Sequence, residues 1–354
     1  MTSERFSRSF AGAKVLVTGH TGFCGSWLSI WLRELGADVY GFSRAPITDP
    51  ALYDMLPGWD VDHSVIGDIE DFDAMNAAIQ TIRPDIIFHL AAQALVRESY
   101  ADTLGTYRTN VIGTANLLEA VRNCDSVRAT VAITTDKVYE NREWVHPYRE
   151  GDELGGKDPY SASKAASELV ISSYRRTVLD PAKTLLASAR GGNIIGGGDW
   201  SADRLLPDIV RAIQAGSTLR LRNPNATRPW QHVLVLCHGY LQLGDALVKG
   251  GAKHATAWNF GPIDNTVMTT SQIVDEFGML WKKPHVEFEP SPLVEAQQLA
   301  LDSTKARIDL GWVPAWNTTD TIQKTVEWYR EFNNGTDVPT LCRNQLAEYR
   351  ERLI

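Results

Sequence analysis

Apolar and polar positions alternate along the first half of the chain in two rhythms. Apolar runs of strand length stand at 14–18 (KVLVT), 38–42 (DVYGF), 66–69 (IGDI), 85–93 (DIIFHLAAQ), 130–139 (TVAITTDKVY) and 184–190 (TLLASAR). Between them lie stretches with apolar residues three and four apart: from Ser26 to Gly36, from near Phe72, from about Thr103 to Val121, and after Tyr160. The first kind reads as buried strand and the second as amphipathic helix. Their alternation predicts an α/β fold with a parallel sheet and ligand chemistry at the carboxyl ends of the strands. Past 190 the alternation breaks. A glycine-rich crossing loop follows at 191–200, short helices and strands run on from about Leu205, and AWNFGP (257–262) reads as a strand returning to the first sheet. A helix near Thr319–Phe332 looks structural, and the polar, charged tail from Asn333 to Ile354 receives no role.

Glycines at 19, 22 and 25 follow the first strand and open the first helix. Their spacing is GxxGxxG rather than GxGxxG. Glycines there permit close backbone approach, and the helix dipole favours a pyrophosphate; a glycine-rich turn without a ligand is the alternative. The pattern predicts a Rossmann-type doubly wound parallel sheet. Residues 1–190 form the dinucleotide-binding domain, and 191–354 are mainly a smaller α/β substrate lobe, with segments near 232–262 returning to the first domain. The second strand ends in Ser43 and Arg44, where an acid for the adenosine ribose is expected. An arginine there accommodates a 2′-phosphate, which keeps NADP open beside NAD. Asp68 can accept from an adenine amino group or cap the helix near Phe72, and both readings stand. Ala91 and Ala92 are small enough to let a cofactor lie against the backbone.

Two polar clusters fall where the sheet would place chemistry. Thr134, Thr135, Asp136 and Lys137 close the fifth strand, with an ordinary strand-end turn as the alternative. Tyr160 precedes Lys164 by four residues, so a helix puts both on one face. A lysine ammonium beside a tyrosine favours the phenolate and lowers the phenol pKa, which suits proton transfer near neutrality. A surface tyrosine packed on a lysine stem gives the same spacing. In the second half, Asn193 can orient a sugar or diphosphate oxygen or simply form a turn. Arg204 and Arg228 can hold a diphosphate in bidentate fashion, or be ordinary surface arginines.

Charge and composition narrow the partners. The net charge of −8 argues against a nucleic acid held by bulk electrostatics. Cys24, Cys124, Cys237 and Cys342 are far apart and show no metal-ligand spacing, so they read as free thiols in a reducing cytoplasm and no metal is expected. The start lacks an apolar run of signal-peptide type, and no stretch reaches the length of a membrane span.

The phrases GHTGFCGSWL (19–28), HLAAQALVR (89–97), YENREWV (139–145), GGKDPYSASK (155–164), GNIIGGGDW (192–200), DRLLPD (203–208) and RPWQHV (228–233) follow one another along most of the chain. With TTDKVY at 134–139, they resemble the extended short-chain dehydrogenase/reductase superfamily and, within it, the nucleotide-sugar 4,6-dehydratases, most closely the branch acting on CDP-glucose. The resemblance implies an NAD-dependent hydro-lyase. It oxidises C4 of the glucose, loses water across C5 and C6, and returns the hydride to C6, so the cofactor is regenerated in each cycle. It implies that Tyr160, as phenolate, takes the 4-hydroxyl proton, that Lys164 lowers that phenol's pKa and binds the nicotinamide ribose, and that Thr135 steadies the same oxygen. Asp136 would protonate the leaving 6-hydroxyl. Cofactor contacts are implied for Gly19, Thr21, Gly22, Phe23, Gly25, Ser43, Arg44, Asp68, Ile69, Leu90, Ala91, Ala92 and Gln93, besides Tyr160 and Lys164. Sugar-nucleotide contacts are implied for Asn193, Arg204 and Arg228, and the segment 295–306 resembles the one that ends the substrate site.

The chain departs from that pattern in places. The dTDP-glucose branch has Glu where Lys137 stands. A lysine acts as the C5 base only if neutral, to which a nearby cation such as Lys164 can contribute; otherwise Lys137 positions the substrate and Glu140 or a water moves the proton. Cys24 stands where the family often has Lys. The resemblance also favours NAD over NADP, a homodimer or homotetramer pairing the helices near 103–121 and 161–178 through Leu117, Leu118, Leu169 and Val170, and a product that feeds deoxysugars of a surface polysaccharide. Two rivals remain on the same fold. An epimerase or reductase would need Tyr160 and Lys164 but no acid at 136, and a dinucleotide-binding sensor would turn nothing over.

Overall fold

The strand periodicity resolves onto the two faces of one sheet. In a computed structural model describing residues 8–56, 63–262, 268–289 and 299–353, β1 (Lys14–Thr18), β2 (Asp38–Ser43), β3 (His63–Ile66), β4 (Ile86–His89), β5 (Ala129–Ile133) and β6 (Leu185–Gly191) are joined by the strand Ala257–Phe260. Their order is Ala257–Phe260, β6, β5, β4, β1, β2, β3, and every neighbouring pair is parallel. The expected return of 257–262 to the first sheet is therefore met. Alternate side chains enter opposite cores. Val15, Val17, Ile86, Phe88 and Val131 face the larger core, and Leu16, Ile87, Ala132 and Leu186 the smaller. Each large aliphatic side chain buried in this way contributes roughly 1.5–3 kcal/mol.

The chain runs outward from β1 through β2 to β3, then returns to the other side of β1 as β4. That reversal opens a crevice beyond the carboxyl ends of β1 and β4, the position where doubly wound sheets take ligands. Helices Phe23–Glu34 and Val233–Gly250 supply much of the larger core, while Phe72–Ile82 and Gly113–Arg122 cover the other face. Beyond residue 191 the sheet gives way to short pairs: Ile194–Ile195 with Gln231–His232, Thr227–Arg228 with Met268–Thr269, and Thr218–Leu221 with His285–Phe288.

Several expectations change. The fifth strand stops at Ile133, and Asp136–Val138 is a single 3-10 turn, because Thr135 caps it with its side-chain oxygen. The helix Phe72–Ile82 is capped by Asp71, which accepts from Ala74 N at 3.0 Å; Asp68 is not its cap. The helix across 103–121 is interrupted by a π-turn at Arg108–Ile112. Leu117 and Leu118 are fully buried in the smaller core and are unavailable to a partner subunit. Of the segment 295–306, residues 295–298 lie outside the described residues.

The tail also has a structural role. Val338–Glu351 is a helix that buries Leu341, Cys342, Leu346 and Tyr349 in the larger core. Its apolar positions recur at three and four within a charged sequence, so mean polarity hid an amphipathic helix. The Tyr349 ring sits edge-on to Trp316, with centroids 5.0 Å apart, and to Trp31 at 5.6 Å. Replacing Tyr349 by Ala should lower unfolding stability by about 3–5 kcal/mol, read as a fall in the denaturation midpoint.

Candidate active site

The crevice continues into a cleft of about 1300 Å³. Its floor at one end is the glycine turn. Gly19 is left-handed, at φ +75, and a Cβ there would lie 2.8 Å from Ala91 N. A Cβ on Gly25 would lie 2.1 Å from Gly19 O. The backbone is therefore as close as it can be on both sides of the turn. The helix Phe23–Glu34 begins at Gly22 with no side-chain cap and no acid in its first turn. Uncapped amides at a helix start, beside a floor without side chains, fit a pyrophosphate. At the end of β2, Thr21 donates its hydroxyl to Arg44 O at 2.8 Å and accepts from Ser43 Oγ at 2.8 Å. Arg44 pairs with Asp68 at 3.4 Å, and both side chains face solvent as well as the cleft.

The other end gathers the two polar clusters around Thr135 and Tyr160. Asp158 caps the helix Pro159–Ser173, accepting from Ser161 N at 2.9 Å, and Pro159 fixes its first turn. Tyr160 and Lys164 thereby stand one turn apart at the helix start, both buried. Thr135 stands beside the Tyr160 phenol. Thr135 donates to Asp136 Oδ1 at 3.0 Å, and the Lys137 ammonium lies 5.9 Å from the centre of the Tyr160 ring.

Burial sets the protonation states here. It pushes the Tyr160 phenol up to about 12, while Thr135 and the charge of Arg204 oppose it. This corrects the expectation that Lys164 brings the phenol down. In the bare chain desolvation outweighs nearby cations, and the Lys164 ammonium turns to Ile133 O at 3.4 Å. Lys164 is itself brought down to about 8 by burial, with Glu168 opposing. Burial also raises Asp136, against Lys137 and Thr135, and lowers Lys137, against Asp136. The cations that help lower Lys137 are Arg228 and Arg204; the contribution expected from Lys164 is absent. An acid tending to stay protonated therefore adjoins a lysine tending to stay neutral.

Every residue that the sequence singled out for the cofactor, the substrate or the proton transfers lines the cleft except Asp136, which is 1 % exposed, and Glu140. Glu140, the alternative C5 base, is turned away. Its backbone pairs with Glu153, and its carboxylate lies against Gly155. Arg204 pairs with Asp199 at 3.3 Å, and Asn193 O accepts from Gln231 N at 3.0 Å. Cys24 lines the cleft beside Cys237, and all four cysteines are free thiols.

Of the other cleft residues, Arg222, like Arg204 and Arg228, is a basic residue that the sequence left open to an anionic ligand, and the rest were not expected as sites. Arg97 and Arg222 converge on Asp203 at 2.7 and 2.9 Å, which ties the helix Val96–Ala101 to the second half of the chain. Asn141, Trp200 and Trp230 also line the cleft. Arg97 and Asp203 stand inside phrases noted in the sequence, but nothing in their spacing shows that they meet.

A family profile described as GDP-mannose 4,6 dehydratase matches residues 16–325. The chain is 44% identical to a CDP-glucose 4,6-dehydratase of Salmonella typhimurium, over 96% of this chain and 96% of the relative. Among solved structures, a dTDP-glucose 4,6-dehydratase from Streptomyces venezuelae with NAD bound superimposes with a TM-score of 0.76 at 28% identity, covering 91% of this chain and 98% of that one. A UDP-glucose 4-epimerase from Thermus thermophilus in complex with NAD shares the fold, with a TM-score of 0.78 at 24% identity over 90% and 99% of the two chains.

Replacing Gly25 by Ala puts a methyl group into the backbone of the turn. Dinucleotide affinity measured by calorimetry should fall by about tenfold or more, or 1.4 kcal/mol, with the fold retained by circular dichroism.

Proposed function

Because the chain belongs to the GDP-mannose 4,6 dehydratase family, we propose that it is an NAD-dependent hydro-lyase converting CDP-glucose to CDP-4-dehydro-6-deoxyglucose. The observation that carries the choice of substrate is the 44% identity to a CDP-glucose 4,6-dehydratase across nearly the whole of both chains. The gathering of Thr135, Asp136, Lys137, Tyr160 and Lys164 at one end of the cleft supports the chemistry. An epimerase has no need of the acid and base at 136 and 137.

NAD, when bound, supplies the hydride acceptor at C4, the hydride returned to C6, and a positive charge that opposes the burial of a Tyr160 phenolate. The chain's own residues move the protons. Tyr160 accepts the 4-hydroxyl proton at its phenol oxygen, and with Asp136 protonated the Thr135 hydroxyl is free to donate to that oxygen. The 4-ketone acidifies the C5 proton, and Lys137, neutral through burial, takes it at Nζ. Asp136 gives its proton to the leaving 6-hydroxyl, which departs as water. Lys137 then returns a proton to C5, and the proton left on Tyr160 passes to Asp136, which restores both groups. Arg204 and Arg228 hold the diphosphate, and Asn193 orients it.

The location and assembly are proposed on narrower grounds. Among the described residues, no helix is long and apolar enough to cross a membrane. Four free thiols suit the reducing cytoplasm. A homodimer would pair the faces carrying Leu104, Ile112 and Leu169, which are 71 %, 52 % and 62 % exposed.

Incubation with CDP-, dTDP-, UDP- and GDP-glucose and with GDP-mannose, read by mass spectrometry, tests the activity. The expected result is loss of one water from CDP-glucose without net NADH. Water loss from another substrate would replace CDP, and no mass change with NAD bound would overturn the dehydration. Replacing Lys137 by Met should cut turnover by about a hundredfold or more and abolish deuterium incorporation at C5 from heavy water. Persistent incorporation would remove Lys137 as the base.

A further inference from the structure

Glu168 is 1 % exposed and stands one helical turn beyond Lys164. No step proposed above uses it. Its carboxylate accepts from Thr134 Oγ1 at 2.6 Å, from Ser188 Oγ at 2.9 Å and from Arg190 Nη2 at 2.8 Å. Arg190 in turn donates to Tyr139 Oη at 2.9 Å and to Glu150 O at 3.1 Å, and Tyr139 donates to Asn259 Oδ1 at 2.6 Å. One carboxylate thus ties the helix of Tyr160 and Lys164 to the end of β5, to β6 and, through Arg190, to both flanks of the turn 134–139.

We propose that Glu168, clamped by Arg190, is a positioning residue: it fixes the Thr134–Thr135 backbone against the helix of Tyr160 and supplies the counter-charge of the Lys164 ammonium. The proposal rests on the reading of Tyr160 and Lys164 given above. Two features go beyond ordinary core stabilisation. A buried ion pair is a poor source of stability, since apolar residues of equal volume often do as well. In addition, this one borders the residue beside Thr135 on one side and Lys164 on the other.

The charged and titratable groups around Lys164 are few. Glu168 and Tyr160 share its helix, His89 faces it from the end of β4, and Asp136 and Lys137 lie beyond Tyr160. His89 is held neutral, at about 3, by burial and by Lys164 itself. Glu168 is the acid that opposes the burial of the Lys164 ammonium. Arg190 and Arg175 face Glu168, and Arg190 together with Thr134 and Ser188 holds the carboxylate ionised against its own burial. The sign follows. A carboxylate one turn away raises the lysine, so removing it lowers the pH at which the ammonium is lost.

The test is the pH dependence of NAD affinity by calorimetry and of kcat/KM on CDP-glucose, in the wild type, Glu168→Gln, Glu168→Asp and the double variant Glu168→Gln/Arg190→Met. The double variant removes the stranded guanidinium and is read in the same way if the single one does not fold. In both Gln variants the alkaline fall in NAD affinity and in kcat/KM should move down by about one pH unit or more. Glu168→Asp should keep the midpoint, because the charge stays, yet lose kcat, because the shorter side chain no longer reaches Thr134. A uniform loss in the Gln variants with the wild-type midpoint retained would make Glu168 merely structural. If the wild type turns CDP-glucose over and shows an alkaline fall while no variant moves it, the role of Glu168 falls alone. If the wild type shows neither turnover nor an alkaline fall, the reading of Tyr160 and Lys164 falls with it.

Discussion

Exclusion of water is the constraint on which the rest of this site depends. Asp136, Tyr160, Lys164, Glu168 and Arg190 are all buried, and half-buried Lys137 lies with its Nζ 5.9 Å from the centre of the Tyr160 ring. On a wet surface Asp136 and Lys137 would form an ion pair, with the acid already deprotonated and the base already protonated. Neither could then serve an elimination. Desolvation penalises both charges together, so it drives the pair toward the neutral acid and neutral base that the chemistry requires. Nearby charges only adjust that outcome. The Glu168–Arg190 pair shows the opposite solution: there the hydrogen bonds of Thr134, Ser188 and Tyr139 keep both charges in place.

The topology creates this dryness. β5 lies between β4 and β6, so its exit at Ile133 is walled by neighbouring strands. The helix Pro159–Ser173 comes over one face and Val233–Gly250 over the other. The glycine turn after β1 opens beside β4, at the reversal of strand order. A dinucleotide extended from that turn meets the end of β5 along a single cleft. The order of the strands thus puts a phosphate cradle and a proton-transfer cluster at opposite ends of one groove.

What the sequence made legible follows the range of the forces involved. Strands, crossover helices, the glycine turn and the Tyr160–Lys164 pair are local patterns, and the structure contains each of them, although the third strand lies at 63–66 rather than 66–69 and the fifth ends six residues early at Ile133. The carboxylate of Glu168 could have been noticed four residues after Lys164, but its partners Thr134, Ser188 and Arg190 come from other strands and have no common spacing. The same holds for Asp203, which meets Arg97 across more than a hundred positions of sequence. The tail helix was missed for a different reason. Leu341, Leu346 and Tyr349 sit at helical intervals among charged neighbours, and average polarity outweighed their period. The phenol pKa was misjudged because a pairwise rule about Lys164 took no account of how deeply Tyr160 is buried.

Arg204 and Arg228 bring two of these demands into conflict. Their charges help to keep Lys137 neutral, yet they are also the groups proposed to meet the diphosphate. A diphosphate that neutralises them removes their push on Lys137. If cations were the main reason for its neutrality, substrate binding would raise the lysine and disarm the base. Burial is the larger cause, however, and a sugar seated over Lys137, as proposed, would deepen it. The loss from the arginines and the gain from desolvation then oppose each other within a single binding event. On the proposed reading, the stronger influence on Lys137 is the one that substrate would reinforce. If Lys137 is the base, its neutral form would be favoured by the sugar lying over it, whereas the diphosphate alone would favour the ammonium.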